Sequence, residues 1–281
     1  MPLPSRWLWL PLLCLGCQSA LSIETPPRTP AAPAENPAPP AGPAQRQVAQ
    51  QLWEEGQRAM RLGQPDRAVA LYEQSLAADP QLTRNHLSLA AAYLEKGDEA
   101  AACPHLDRYL RSNPQHTAVR VQYAELLWRL KRLKECRAAF ASAVADAEEE
   151  MPASHLIHCH SRLMQLAEAA DDEYGEHLHR GIGLYLLARE RAALGEVDAP
   201  LTTEGLLCRA AGELTLAHIQ KPDEARPSWY LHKVWARLAQ RQPALRALRE
   251  ASASAPFSYL TPAEQRGLEL ACAAAEQTSP K

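Results

Sequence analysis

His155, His158, Cys159 and His160, followed by Asp171, Asp172, Glu173, Glu176, His177 and His179, form the densest group of chemistry-capable side chains in the sequence. Transition metals draw imidazole and carboxylate ligands from one helix face, where residues three or four apart meet. His155 and His158 have that spacing, whereas His158/His160 and His177/His179 are two apart and diverge on a helix. The candidate ligands are His155 and His158, with His177 and His179 as the less well placed ones, and several imidazoles together also allow a response to pH below neutrality. Nothing else in the sequence supports a reactive centre. There is no HExxH and no Gly-rich phosphate loop, and Ser154 and Ser161 lie beside His155 and His160 without a strand–turn–helix to activate them. The expectation is no enzyme, no cofactor and no metal, with histidines at the surface and between helices. A metal- or pH-responsive binding protein using the His155–His179 group is the alternative.

Composition says which elements must hold these side chains. Only 7 Val, 4 Ile and 2 Phe occur among 281 residues, so the strand-forming residues are scarce and an all-α fold is expected. Apolar residues make up 46%, enough for a sizeable core, and a net charge of −3 offers no general attraction to nucleic acid. Eight of the 23 prolines lie between Pro26 and Pro43. That segment is nearly free of bulky apolar side chains and cannot offset its own chain entropy.

Arg6 precedes the nine-residue apolar run Trp7–Leu15, which is too short to span a bilayer but fits the core of a signal peptide. Gly16-Cys17 after that run resembles the lipobox of bacterial lipoproteins, although Cys14 stands where Leu is usual. The resemblance implies cleavage after residue 16 and lipidation of Cys17, and Gln18 after the Cys implies the outer membrane, facing the periplasm. An ordinary cleaved secretion signal and an uncleaved N-terminus are the other readings. The expected organisation is a signal peptide over 1–16 and a lipid-anchored Pro/Ala-rich linker over 17–45. Cys103, Cys136, Cys159, Cys208 and Cys272 remain, an odd number without paired spacing, so a disulfide framework is not expected.

From Arg46 the text repeats every 34 residues: Gly56, Ala90 and Ala124 align as small residues, as do Ala68, Ala102 and Cys136. Large apolar side chains align at Tyr72, Leu106 and Phe140, Pro80 aligns with Pro114, and Gly63 with Gly97. Antiparallel helices cross closely only where small residues face each other, and the large residues then fill the space toward the next unit. This pattern resembles the tetratricopeptide repeat. Glu55, Arg120, Lys131 and Glu148 depart from it. Three repeats are clear over 46–150, and residues 151–281 read as degenerate repeats with helices at about 154–169, 173–193, 203–219, 228–240, 243–253 and 262–277. Lys221-Pro222-Asp223-Glu224-Ala225 echoes Gln64-Pro65-Asp66-Arg67-Ala68 and suggests a fifth inter-helix turn, with Pro227 interfering. Thr261, Pro262 and Glu264 predict a capped start for the last helix.

The resemblance implies an α-solenoid whose first helices line a groove with their fifth and twelfth positions. These are Trp53, Leu87 and Val121, and Met60, Leu94 and Trp128. Two apolar rows on such a face point to a protein partner, unless the C-terminal helices fold back and fill the groove. The clamp for C-terminal carboxylates known in this family does not transfer, because Trp53, Gln57, Leu87 and Ser88 occupy its places. The expected function is a non-enzymatic adaptor that binds another protein.

Overall fold

A computed structural model describes residues 41–145, 151–195 and 202–277. The signal peptide, Cys17 and the linker up to residue 40 lie outside them. The order is α1 (Pro43–Arg61), α2 (Pro65–Ala78), α3 (Arg84–Glu95), α4 (Glu99–Ser112), α5 (Thr117–Arg129), α6 (Leu133–Ala145), α7 (Ala153–Glu168), α8 (Glu173–Leu194), α9 (Thr203–Gln220), α10 (Ala225–Arg237), α11 (Arg241–Ser254) and α12 (Pro262–Gln277). No strand occurs among the described residues. Consecutive helices pack antiparallel, so the described chain is a tetratricopeptide-type α-solenoid.

Its period is written into one turn. Gly63, Gly97, Lys131, Asp171 and Ala239 all have positive φ, between 56° and 77°. Each ends the first helix of a pair, and the next residue's N–H donates back to a carbonyl five residues earlier: Gln64 to Ala59 at 3.0 Å, and Asp98, Arg132, Asp172 and Gln240 likewise to Tyr93, Leu127, Ala167 and Trp235 at 2.9 Å. This closure satisfies the orphan carbonyls at a helix end and turns the chain sharply. The pairs are therefore α1/α2, α3/α4, α5/α6, α7/α8 and α10/α11. Left-handed backbone costs a side chain that glycine lacks about 1 kcal/mol. Ala239→Gly is accordingly expected to raise the melting temperature by a net gain of about 0.5 kcal/mol, and Gly63→Ala to lower it. Thermal melts of the two variants moving the same way would contradict the turn geometry.

The small-residue positions are where the helices touch. Ala68, Ala102, Cys136, Ala90 and Ala124 are all fully buried, and so are Tyr72 and Phe140. A Cβ added to Gly56 would fall 2.4 Å from the Tyr72 ring, so only glycine admits that ring. Cys136 uses its thiol to donate to the Ala124 carbonyl at 3.3 Å, which explains why a Cys can replace Ala there.

Two expectations need correction. The segment Lys221–Ala225 is not the turn of a fifth pair: Lys221 has φ −135°, and the left-handed turn of that pair is at Ala239. The echoed segment joins α10 to α9, an extra helix between the fourth and fifth pairs that packs chiefly on α8 and also on α10. Gly181 lets it approach, since a Cβ there would lie 2.7 Å from Leu214. Pro227 also does not interfere: it is the third residue of α10, where no intrahelical N–H is needed, so the helix starts at Ala225. The last helix is capped as expected, with Glu264 N–H donating to Thr261 Oγ1 at 3.2 Å and Thr261 N–H to Glu264 Oε2 at 2.9 Å.

Candidate functional site

Of the helices that open the first four pairs, α1 touches α3 and α5 touches α7 through polar side chains, while Leu87 of α3 and Val121 of α5 pack against one apolar cluster. Ser88 Oγ on α3 accepts from Trp53 Nε1 at 2.9 Å and from Gln57 Nε2 at 3.2 Å, both on α1. The Arg84 guanidinium stacks 4.2 Å above the Trp53 ring. Between α5 and α7, Glu125 accepts Arg162 Nε at 2.8 Å and Nη2 at 3.0 Å, and His158 Nε2 lies 2.7 Å away. Arg162 in turn covers the Trp128 ring at 4.9 Å. Burial pushes the Glu125 carboxyl up, but the hydrogen bonds of Arg162 and His158 outweigh it and hold the group below its ordinary value. Glu125 is thus a carboxylate clamped between the Arg162 guanidinium and the His158 ring.

Trp53, Met60, Leu87, Val121 and Trp128 are half-buried on this face, and Leu94 is 36% exposed. Helices α9 to α12 pack on α8 and on one another, and none of them packs extensively on α1, α3 or α5. The C-terminal helices therefore do not fill the strip. Each tryptophan pairs its ring with an arginine, so the face is amphipathic: flat apolar surfaces edged by guanidinium groups, able to hold an apolar side chain and the backbone beside it.

The histidines do not assemble as a ligand set. His155 is exposed, His158 goes to Glu125, and His177 Nδ1 lies 2.7 Å from Glu213 on α9. Among the described residues no three His, Cys, Asp or Glu side chains are grouped as metal ligands would be. His179 instead meets His160, Nδ1 to Nδ1, at 3.1 Å between α7 and α8. A second such contact joins His86 and His105 at 3.2 Å between α3 and α4. Sequence reasoning missed both pairs, although a signal exists. Measured from the left-handed residues Gly97 and Asp171, each pair sits eleven residues before and eight after.

These imidazoles are held neutral. Burial pushes His86 down to about 4, assisted by His105 and Arg108. His179 falls to about 3 through burial, then Arg226 and Arg137, against the opposing charge of Asp172. Burial also lowers His105 and, still further, His160. In each pair one Nδ1 must carry a hydrogen and the other a lone pair, an arrangement that two protonated rings cannot keep.

A family model described as anaphase-promoting complex, cyclosome, subunit 3 matches residues 62–143. No curated protein matches the chain. Among solved structures, the first TPR of Spaghetti (RPAP3), bound to the HSP90 peptide SRMEEVD, is 19% identical, covers 45% of this chain and 95% of that one, and has a TM-score of 0.37. YrrB, described as a TPR protein with an unusual peptide-binding site, is 16% identical over 74% of this chain and 87% of its own, TM-score 0.34. Pseudomonas aeruginosa pilF is 13% identical over 76% and 95%, TM-score 0.36.

Proposed function

We propose that this chain is a non-enzymatic adaptor that holds a segment of another protein in the groove of its first helices. We further propose that it is tethered through a lipid on Cys17 to the periplasmic side of a bacterial outer membrane. The observation that carries the adaptor reading is the half-buried strip of Trp53, Leu87, Val121 and Trp128, on which none of the described C-terminal helices packs extensively. Burying one such side chain contributes about 1.5–3 kcal/mol. Three or four of them, less about 4–15 kcal/mol for association, leave an affinity of roughly micromolar order unless polar contacts at Arg84 or Arg162 add to it.

Leu87 lies between the two tryptophans and tests this directly. Leu87→Asp puts an unpaired charge where the partner must exclude water, and capture of the partner by crosslinking from membranes is expected to be lost. Because Leu87 is only half-buried, helicity and melting temperature should hold. A folded Leu87→Asp protein that still captures its partner would place binding elsewhere.

The tether rests on Gly16-Cys17 after the apolar run, with the Pro/Ala-rich segment as a spacer holding the domain off the membrane. Cys17→Ser is expected to release the protein from the membrane fraction. An unmodified Cys17 in the mass spectrum of the mature protein, or unchanged partitioning of the variant, would end this reading.

A further inference from the structure

A cavity of about 590 Å³ lies away from the groove and takes no residue from α1 to α5. Its walls are the C-terminal end of α6, the start of α8, the α9–α10 connection, and the segment leading into α12. Three cations line it, Arg137, Lys221 and Arg226, against two carboxylates, Asp172 and Glu224. Asp172 is already committed: it accepts from Arg137 at 2.7 Å and caps α8 through the Gly175 N–H at 3.0 Å. Lys221 rests its ammonium 4.2 Å above the Tyr174 ring.

Arg226 is the informative residue. Its Nε is spent on Glu264, at 2.9 and 3.0 Å to the two oxygens, and only 13% of its side chain is exposed. Its Nη2 is buried with no acceptor among the described residues. A buried N–H left unpaired costs about 1–3 kcal/mol, so a small rotation of the guanidinium toward an acceptor in the cavity recovers that cost. The field inside has the matching sign, since Arg226 and Arg137 both act to keep His179, in the cavity wall, uncharged. The apolar part of the lining includes buried Leu163 and Leu178 and exposed Tyr259, with Ser142 and Thr261 adding two hydroxyls.

We infer that this cavity binds a small amphipathic carboxylic acid, its carboxylate on Arg226 and Lys221 and its apolar body against Leu163, Leu178 and Tyr259. The volume falls within the range of about 300–1,000 Å³ typical of small-molecule sites. A charged head meeting buried donors gives the orientation, and the apolar walls add affinity without requiring any residue of the groove.

The test titrates the full chain with hexanoate, hexanol and hexylamine by calorimetry, with inorganic phosphate as a fourth probe. Hexanoate is expected to bind saturably and at least about tenfold more tightly than hexanol, with hexylamine silent. Arg226→Lys keeps the charge facing Glu264 but removes the unpaired N–H, and should weaken hexanoate about tenfold with unchanged circular dichroism. If Arg226→Lys fails to fold, exposed Lys221→Glu gives the second reading and should cause a comparable loss. Leu87→Asp should leave hexanoate binding as it is. Hexanoate no tighter than hexanol, phosphate binding without hexanoate binding, or full affinity in a folded Arg226→Lys or Lys221→Glu protein would each overturn the proposal.

Discussion

Acidification from pH 7 to about pH 4.5 is expected to strip several kcal/mol from the array, beginning in the second and fourth pairs. His86 takes up its proton at about 4 and His179 at about 3 in the folded chain, against 6.5 as their ordinary value. Between those limits the unfolded chain binds more protons than the folded one, so stability rises with pH across the window. It is fully present above 6.5 and lost as pH falls toward 4. For His86 alone the loss is on the order of 3 kcal/mol, a large fraction of a typical domain's stability. Glu125 and Asp172, held below their ordinary values, add to the loss at the acid end of this window and below it.

The first pair supplies the control. At the register positions of His86 and His105 it carries Leu52 and Leu71. His86→Leu with His105→Leu should therefore keep the fold at pH 7.5 and flatten the acid slope of Tm. A double variant with the wild-type slope would show that the pairs do not set acid stability. The buried pairs His86–His105 and His160–His179 are where acid is expected to act first.

Ala102→Leu should be at least as damaging, by about 1–3 kcal/mol or more. Ala102 is fully buried where α4 crosses α3, with Ala90 equally buried across from it. Three added carbons can be housed only by parting the helices. In a solenoid each pair is supported only by its neighbours, so parting one in the middle disconnects α1/α2 from the rest. Gly56→Ala is the smaller version of the same test, because the new Cβ meets the rigid Tyr72 ring. Exposed Gln51→Ala serves as the reference and should leave Tm unchanged. Equal melting of the Ala102→Leu and Gln51→Ala proteins would mean the repeat register is wrong.

How far the sequence can be read depends on how local the determinant is. Small residues every 34 positions report a crossing between two helices a few residues apart in the chain, so Gly56, Ala68, Ala90 and Ala102 are legible. Glycine marks the turn at Gly63 and Gly97, but Lys131, Asp171 and Ala239 adopt the same backbone without announcing it. That is why Lys221–Ala225 was the more visible candidate for a turn and Ala239 was not. The groove positions follow from register alone. What fills or leaves them open depends on where α9 to α12 go, a long-range outcome. The histidine pairs were hidden for a related reason: His158 and His160 are neighbours in sequence, yet the helix sends one to Glu125 and the other to His179.

The extra helix α9 has an arithmetic consequence. Eight helices precede it in alternating directions, so inserting one more reverses the polarity of everything after it, and α10 runs opposite to α1, α3, α5 and α7. The helix that opens the fifth pair therefore points opposite to the helices that open the first four. Four helices at about 8–10 Å spacing span roughly 30 Å, which an extended chain covers in about nine residues. On the proposed function, a partner segment laid extended across all four first helices is about nine residues long.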